Sequence, residues 1–237
     1  YDVHTHILPK IDDGARSLEE SLKLLKIEID NGVTGVILTP HYRRGMFEAT
    51  LKDREAAWRL LVTEVEKRKL PIALFMGCEF HANRDMVEIL DKGVPFTLNQ
   101  TKNVLVEFSS GDNFSYIREQ VYNLRSGGYN PIIAHLERYP VFKGKLDLVE
   151  ELINLGAKIQ LTAGAVTGEY GFLMKRTCHQ LRKKQLVHFV ASDMHRVTNE
   201  GIELKKCANY MEKKYGKTYT KEIFEINPKE IIGEDKR

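Results

Sequence analysis

The sequence predicts an α/β fold, a barrel of seven β/α units forming a single domain over residues 1–237. Three observations carry that expectation. Short apolar, β-branched runs begin near residues 2, 33, 71, 103, 130, 157 and 186 and alternate with stretches of helical periodicity, the pattern of a parallel sheet with right-handed crossovers. Histidine, aspartate and glutamate recur where those runs end, and in a closed barrel all such ends meet at one rim. Nothing between the units reads as a linker, a low-complexity segment or a second core, and 237 residues suffice for one large α/β core.

In chain order, the first strand runs into Asp-Val-His-Thr-His, and in an extended strand His4 and His6, at i and i+2, leave the same face. An isolated His-x-His is as often polar decoration of an edge strand as a metal-chelating pair, so its partners must decide. Pro9 bends the chain ahead of Asp12, Asp13 and Gly14. Ser17 and Glu20 have capping-box spacing, and Leu18, Leu22, Leu25 and Ile29 recur at helical intervals until Asn31-Gly32. Residues 33–38 form a buried strand ending at Thr39-Pro40-His41. An amphipathic helix over about 51–69 leads to a strand at 71–76 that exits into Gly77-Cys78-Glu79. After a short helix near 85–90, a strand at 103–108 carries Glu107, and a helix over about 115–125 ends at Gly127-Gly128. The strand at 130–134 delivers His135, and a helix over about 146–155 follows. The strand at 157–161 has no evident ligand at its exit, whereas 186–191 runs into Ser192-Asp193-Met194-His195. The last 40 residues read as helices packed on the outside.

Composition narrows the function. Hydrophobic residues make up 42% and charged residues 29%, and no apolar run approaches the roughly 18 residues of a membrane span. No membrane insertion and no signal peptide are expected, which makes the cytoplasm the expected setting. A dispersed net charge of +3 argues against nucleic acid as a partner. Cys78, Cys178 and Cys207 lack the spacing of a disulfide framework or zinc knuckle and are expected to be reduced.

The chemistry collects at the strand exits. His4, His6, His41, His135 and His195, five of the eight histidines, fall there with Glu79, Glu107 and Asp193. With Asp13 they exceed the ligand set of one tetrahedral ion, so two or three ions with a bridging carboxylate are implied, Glu79 being the choice for the bridge. Imidazole mixed with carboxylate, and no thiolate, suits manganese, iron or zinc over copper. Three divalent ions facing Asp13, Glu79, Glu107 and Asp193 leave about +2, a centre that favours phosphate.

These residues resemble the polymerase and histidinol phosphatase (PHP) superfamily, and within it the manganese-dependent tyrosine phosphatases of bacterial capsule biosynthesis. Asp-Val-His-Thr-His-Ile-Leu-Pro with Ile-Asp-Asp-Gly, then Thr-Pro-His, Gly-Cys-Glu, Val-Glu-Phe, Ala-His-Leu-Glu-Arg-Tyr and Ser-Asp-Met-His follow that subgroup's motifs in order along nearly the whole chain. The resemblance implies a distorted (β/α)7 TIM-like barrel, the PHP fold, holding three divalent ions, with manganese expected and iron or zinc as alternatives. It places His4, His6, Glu79 and Asp193 at one ion, Glu79, Glu107 and His135 at the second, and Asp13, His41 and His195 at the third. It implies hydrolysis of phosphotyrosine on a protein, the cognate bacterial tyrosine autokinase, in control of capsular or exopolysaccharide synthesis.

Arg138 matches the family's phosphate clamp. The family's second arginine lies several residues beyond the Asp-x-His motif, where this chain offers only Arg196, adjacent to His195; Arg43 is a further candidate substrate contact. His195 is both a ligand and a candidate proton donor to the leaving group. Cys78 to Arg84 fits the C-x5-R spacing of cysteine-dependent phosphatases, but Glu79 beside the thiol would repel phosphate, so the match reads as accidental. The rival readings are another PHP phosphoesterase, such as a histidinol phosphatase or a nuclease, and, further off, a metal amidohydrolase or a non-catalytic module.

Overall fold

A computed structural model describes residues 1–93, 96–197 and 204–233; the single-domain reading also takes in 94–95, 198–203 and 234–237, which lie outside the described residues. Among the described residues nine short parallel strands are present: β1 (Asp2–Thr5), β2 (Gly35–Leu38), β3 (His41–Tyr42), β4 (Ala73–Met76), β5 (Glu79–His81), β6 (Asn103–Glu107), β7 (Asn130–Ile133), β8 (Lys158–Thr162) and β9 (Phe189–Ala191). They pair in the orders β1-β2-β4 and β3-β5-β6-β7-β8-β9. Since β3 prolongs β2 and β5 prolongs β4, the nine strands make the seven expected staves.

The two breaks have a local cause. Pro40 has no N–H for the ladder, and Gly77 packs so tightly that an added Cβ would lie 2.8 Å from Leu98 and 2.9 Å from Ile37. The staves stay paired across the break through Gly77 N–H to Leu38 O (2.8 Å) and Glu79 N–H to Pro40 O (3.2 Å). His41 and Glu79 therefore open new strands paired with each other, where the sequence alone placed them in exit loops. The curled sheet meets itself at the rim: Asp193 N–H donates to His4 O and His6 N–H to Met194 O, both at 2.9 Å.

Ten helices clothe this sheet among the described residues: α1 (Leu18–Asp30), α2 (Leu51–Lys67), α3 (Met86–Asp91), α4 (Phe114–Ser126), α5 (Leu146–Asn154), α6 (Ala163–Thr167), α7 (Phe172–Lys183), α8 (Leu204–Tyr215), α9 (Lys217–Lys221) and α10 (Asn227–Ile232). Ser17 caps α1 by accepting from Glu20 N–H at 3.2 Å, but the Glu20 carboxylate reaches past the cap to Arg16 N–H at 2.8 Å, so the reciprocal box is not closed. The full capping box is at α2, between Thr50 and Asp53.

Two apolar layers result. The larger one lies between strands and helices, and a smaller one fills the barrel with Val3, Ile37, Leu105, Ile132 and Phe189. Ile231 and Ile232 of α10 belong to the inner layer. This corrects the expectation that the tail only decorates the exterior: α10 plugs the barrel floor, pinned there by Asn99 Nδ2 donating to Ile232 O (2.8 Å) and Asn103 Nδ2 to Ile231 O (2.9 Å). The apolar pair alone did not reveal which layer it enters. Ile231→Ala is expected to destabilise the protein by about 2–5 kcal/mol in urea denaturation, the range for a truncated core aliphatic, against the ±0.5 kcal/mol or so of an exterior site.

Candidate metal centre

At the C-terminal rim the first strand contains an irregularity that the site requires. Asp2 pairs with Val36 and Thr5 with Leu38, so three steps along β1 oppose two along β2. A strictly alternating strand would send Val3 and His4 to opposite faces; the bulge lets Val3 join the inner core while His4 Nδ1 reaches Gln160 Oε1, 3.2 Å away. His4 and His6 then converge, their Nε2 atoms 3.1 Å apart. Glu79 Oε2 lies 3.2 Å and 3.3 Å from those nitrogens, and Asp193 Oδ1 lies 3.4 Å from each.

The remaining candidates gather around the same carboxylate. His135 Nε2 is 2.8 Å from Glu79 Oε1 and 3.9 Å from Glu107 Oε1, and His41 Nδ1 is 2.8 Å from Glu79 Oε2. Asp13 Oδ1 stands 3.5 Å from both His41 Nε2 and His195 Nε2. Three ligand groups are each compact enough for one ion, with ligand atoms within 4.8 Å of one another: His4, His6 and Asp193; His41, Glu79 and Glu107; and His6, Asp13, His41 and His195. All nine sequence candidates thus stand in one constellation, with His41 and His6 positioned between clusters.

The donor set fits divalent metal ions. A carboxylate only accepts, so Asp12 Oδ2, 2.7 Å from His6 Nδ1, fixes the proton on that nitrogen and leaves Nε2 with its lone pair facing inward. Gln160 Oε1 does the same for His4, and the Asp193 carbonyl for His195 at 2.9 Å. Glu79 Oε2 is buried, crowded by three imidazoles, and yet makes no hydrogen bond of proper geometry. Such outward-anchored imidazoles are the usual support of metal-ligating histidines.

Electrostatics bind the cluster together. Burial opposes the charge of Glu79, but His4, His135 and His41 outweigh it and hold its pKa well below the carboxylate range. Burial, then Glu79, pushes Glu107 upward. Asp12 is held at about 2 against burial, chiefly by His6. His135 and Asp193 adopt left-handed backbone, with φ of 32° and 55°, a conformation uncommon for non-glycine residues.

Three supporting residues escaped the sequence reading. Asp12 also accepts from the backbone N–H groups of His41 and Gly14, each at 2.9 Å, and so ties the first loop to β3. Its signal was its place beside Asp13, before a glycine: a Cβ on Gly14 would lie 2.0 Å from His6 O, so only glycine lets the loop fold back onto β1. Gln160 comes from β8, the one strand without a ligand at its exit. Tyr139 places its hydroxyl 3.0 Å from Phe108 N and 3.2 Å from His135 Nδ1.

The arginines divide. Arg138 Nη2 contacts Asp193 Oδ2 at 2.6 Å, and its guanidinium lies 5.9 Å from the Tyr170 ring centre. Burial works against its charge, but Asp193 and Glu137 keep it firmly protonated. Arg43 and Arg138 line a cleft of about 290 Å³ together with His81, Glu107, Ser109 and His135. Arg196 donates to Gly14 O and faces Glu20 Oε2 at 3.7 Å, bracing the first loop. Cys78 is fully buried and its thiol is pushed up to about 11, first by burial, which suits a packing residue rather than a nucleophile.

A parallel barrel with imidazole–carboxylate clusters at its C-terminal rim defines a class of barrel proteins equipped to ligate metal ions. Within that class the chain belongs to the capsular polysaccharide synthesis family CpsB/CapC, whose profile matches residues 1–233. It is 35% identical to the tyrosine-protein phosphatase CpsB of Streptococcus pneumoniae, over 98% of this chain and 97% of that protein. It is 32% identical to the tyrosine-protein phosphatase YwqE of Bacillus subtilis, over 91% and 85%. Among solved structures, a match described as YwqE and CpsB, metal-dependent tyrosine phosphatases, superposes with a TM-score of 0.90 at 29% identity, covering 98% of this chain and 94% of the other. The histidinol phosphate phosphatase of Lactococcus lactis shares the fold, at a TM-score of 0.60 and 12% identity over 91% of this chain and 94% of that one.

Asp12→Asn keeps the shape but weakens the acceptor on His6 Nδ1. Metal affinity, measured by competition with a chelator, is expected to fall about 10- to 100-fold while the far-ultraviolet spectrum stays unchanged.

Proposed function

We propose that this chain is a metal-dependent protein-tyrosine phosphatase that hydrolyses phosphotyrosine on a bacterial tyrosine autokinase in the cytoplasm, in control of capsular or exopolysaccharide synthesis. The observation that carries the reading is Glu79, a buried carboxylate shared by the imidazoles of His4, His6, His41 and His135, on the same rim as the Arg138 guanidinium. The curated relatives bear the same activity in their names. No helix among the described residues is long and apolar enough to cross a membrane. The packing of Ile231 and Ile232 into the barrel supports reading residues 1–237 as one catalytic unit.

Three divalent ions, manganese foremost, would be held by His4, His6, Glu79 and Asp193; by Glu79, Glu107 and His135, with His41 adjacent; and by Asp13, His41 and His195. Bound there, they would supply Lewis-acid charge to a phosphoryl group and acidify water. The chain's own residues supply the rest. Arg138 uses Nη2 on Asp193, so its remaining N–H groups can take a phosphoryl oxygen as charge-assisted donors whose position is already fixed. Arg43, across the 290 Å³ cleft, offers a second cation to the incoming phosphate. His195, its Nδ1–H engaged by the Asp193 carbonyl, presents only Nε2 to the cluster. A phenolate leaving group, with an ordinary pKa near 10, asks for less protonation than an alkoxide would.

Chelator treatment followed by manganese is expected to abolish and then restore phosphate release from a phosphotyrosine peptide, with histidinol phosphate and single-stranded DNA poor substrates; release that survives chelation would overturn the reading. Arg138→Ala is expected to lower kcat/KM by about 100- to 1,000-fold, the loss typical of a preorganised donor to transition-state charge. In the same steady-state assay Cys78→Ser should turn over at the wild-type rate, and abolished turnover with metal still bound would restore the cysteine mechanism.

A further inference from the structure

The end of α7 gathers charged groups that the barrel mouth does not use. α7 begins after β8, on the rim side, and its 12 residues span roughly 18 Å, so its last turn lies toward the barrel floor. There it meets the ends of α8 and α9 around a pocket of about 340 Å³ whose walls include His179, Arg182, Lys183, Lys214, Tyr215 and Tyr219, and no carboxylate. Lysines in the last turn of a helix answer the macrodipole and by themselves need no ligand.

Arg182 is not explained that way. It is 1% exposed, its Nε donates to Cys178 O at 3.0 Å, and neither Nη1 nor Nη2 has a hydrogen-bond partner among the described residues. Its guanidinium sits 4.8 Å from the Tyr215 ring centre and 5.5 Å from that of Tyr210. Two cation–π contacts offset part of its desolvation, but they provide no acceptor for four N–H groups. No carboxylate of the described residues pairs with Arg182, Lys183 or Lys214. The field they make reaches His179, whose Nδ1 lies 2.6 Å from the Tyr215 hydroxyl: burial first, then Arg182, Lys214 and Lys183, keep its imidazole neutral.

We propose that this pocket is a second, non-catalytic site for a phosphate group. Buried Arg182, held by Cys178 O and two tyrosine rings, and the exposed Lys183 and Lys214 together exceed what one carboxylate neutralises, whereas a phosphomonoester brings about −1.5 to −2 charge and three acceptor oxygens. The tyrosine walls add faces against which an aryl group can lie. The phosphate can come from two sources, free inorganic phosphate or a phosphotyrosyl side chain of a protein; only the second rests on the tyrosine-phosphatase reading.

The test is amide nitrogen-15 NMR on the full-length protein loaded with diamagnetic zinc. It is titrated with sodium phosphate and, separately, with the non-hydrolysable phosphonomethyl-phenylalanine, at ionic strength held constant with chloride. Saturable shifts are expected at 179–185 and 213–219, at least tenfold weaker in binding in the K183A/K214A double variant, with shifts near His135 to Tyr139 and turnover unchanged. Arg182 is left in place, because its removal would unpack two tyrosines. Tighter binding of the phosphonate would identify a docking site for phosphoprotein, and equal binding a site for free phosphate. Unsaturable shifts, identical titration of the double variant, or shifts confined to the rim would each overturn the proposal. Rim shifts are read separately, so failure of the catalytic reading cannot be mistaken for failure of this one.

Discussion

The buried carboxylate of Glu79 is the constraint on which the rest of the structure turns. It is fully excluded from solvent, and four imidazoles crowd its two oxygens. A lone ionised carboxylate in such a place would be prohibitive, and it is tolerable only because cations or their stand-ins surround it. Those imidazoles come from β1 and its exit, β3 and the exit of β7, so the site exists only when distant parts of the chain are brought to one rim. Folding the barrel and assembling the site are therefore one event, and the seam between β1 and β9 is where they coincide. Its hydrogen bonds use the backbone of His4, His6 and Asp193, residues whose side chains also belong to the cluster.

Much of this was legible in the sequence, and the rest was not for identifiable reasons. His4 and His6 could be paired because i and i+2 share a face of a strand, and His135 and Asp193 could be placed because they end apolar runs. The bulge in β1 could not be read, since it depends on how many residues of the neighbouring strand oppose it. Asp12 and Asp13 are adjacent and chemically alike; only the three-dimensional loop shows that one orients His6 while the other faces His41 and His195. Gln160 was invisible because an amide in a strand carries no metal-ligand signal, although it orders both His4 and the backbone of His135. Arg196 could be noticed from its neighbour His195, but its engagement with Gly14 needs a contact across 182 positions of sequence.

The floor and the rim pose different physical problems. At the floor, apolar burial by Ile231 and Ile232 is enough, and Asn99, Thr101 and Asn103 satisfy the carbonyls that end α10. At the rim, left-handed backbone at His135 and Asp193 is retained although it opposes local preference. The surrounding ladder over-determines these residues: Asp193 N–H is held by His4 O and His135 N–H by Gln160 Oε1.

Asp193 also links Arg138 to the ligand cluster. One oxygen faces His4 and His6 and the other faces Arg138, so a single carboxylate is divided between the ligand cluster and the proposed phosphate clamp. An arginine free in solvent would need to be ordered when phosphate arrives; this one is already held by Asp193 on one side and the Tyr170 ring on the other. The ordering cost falls on folding rather than on the reaction, which is what electrostatic preorganisation requires. A lysine could not replace it, because a point charge paired with Asp193 would have no planar fork left to present to a second oxyanion.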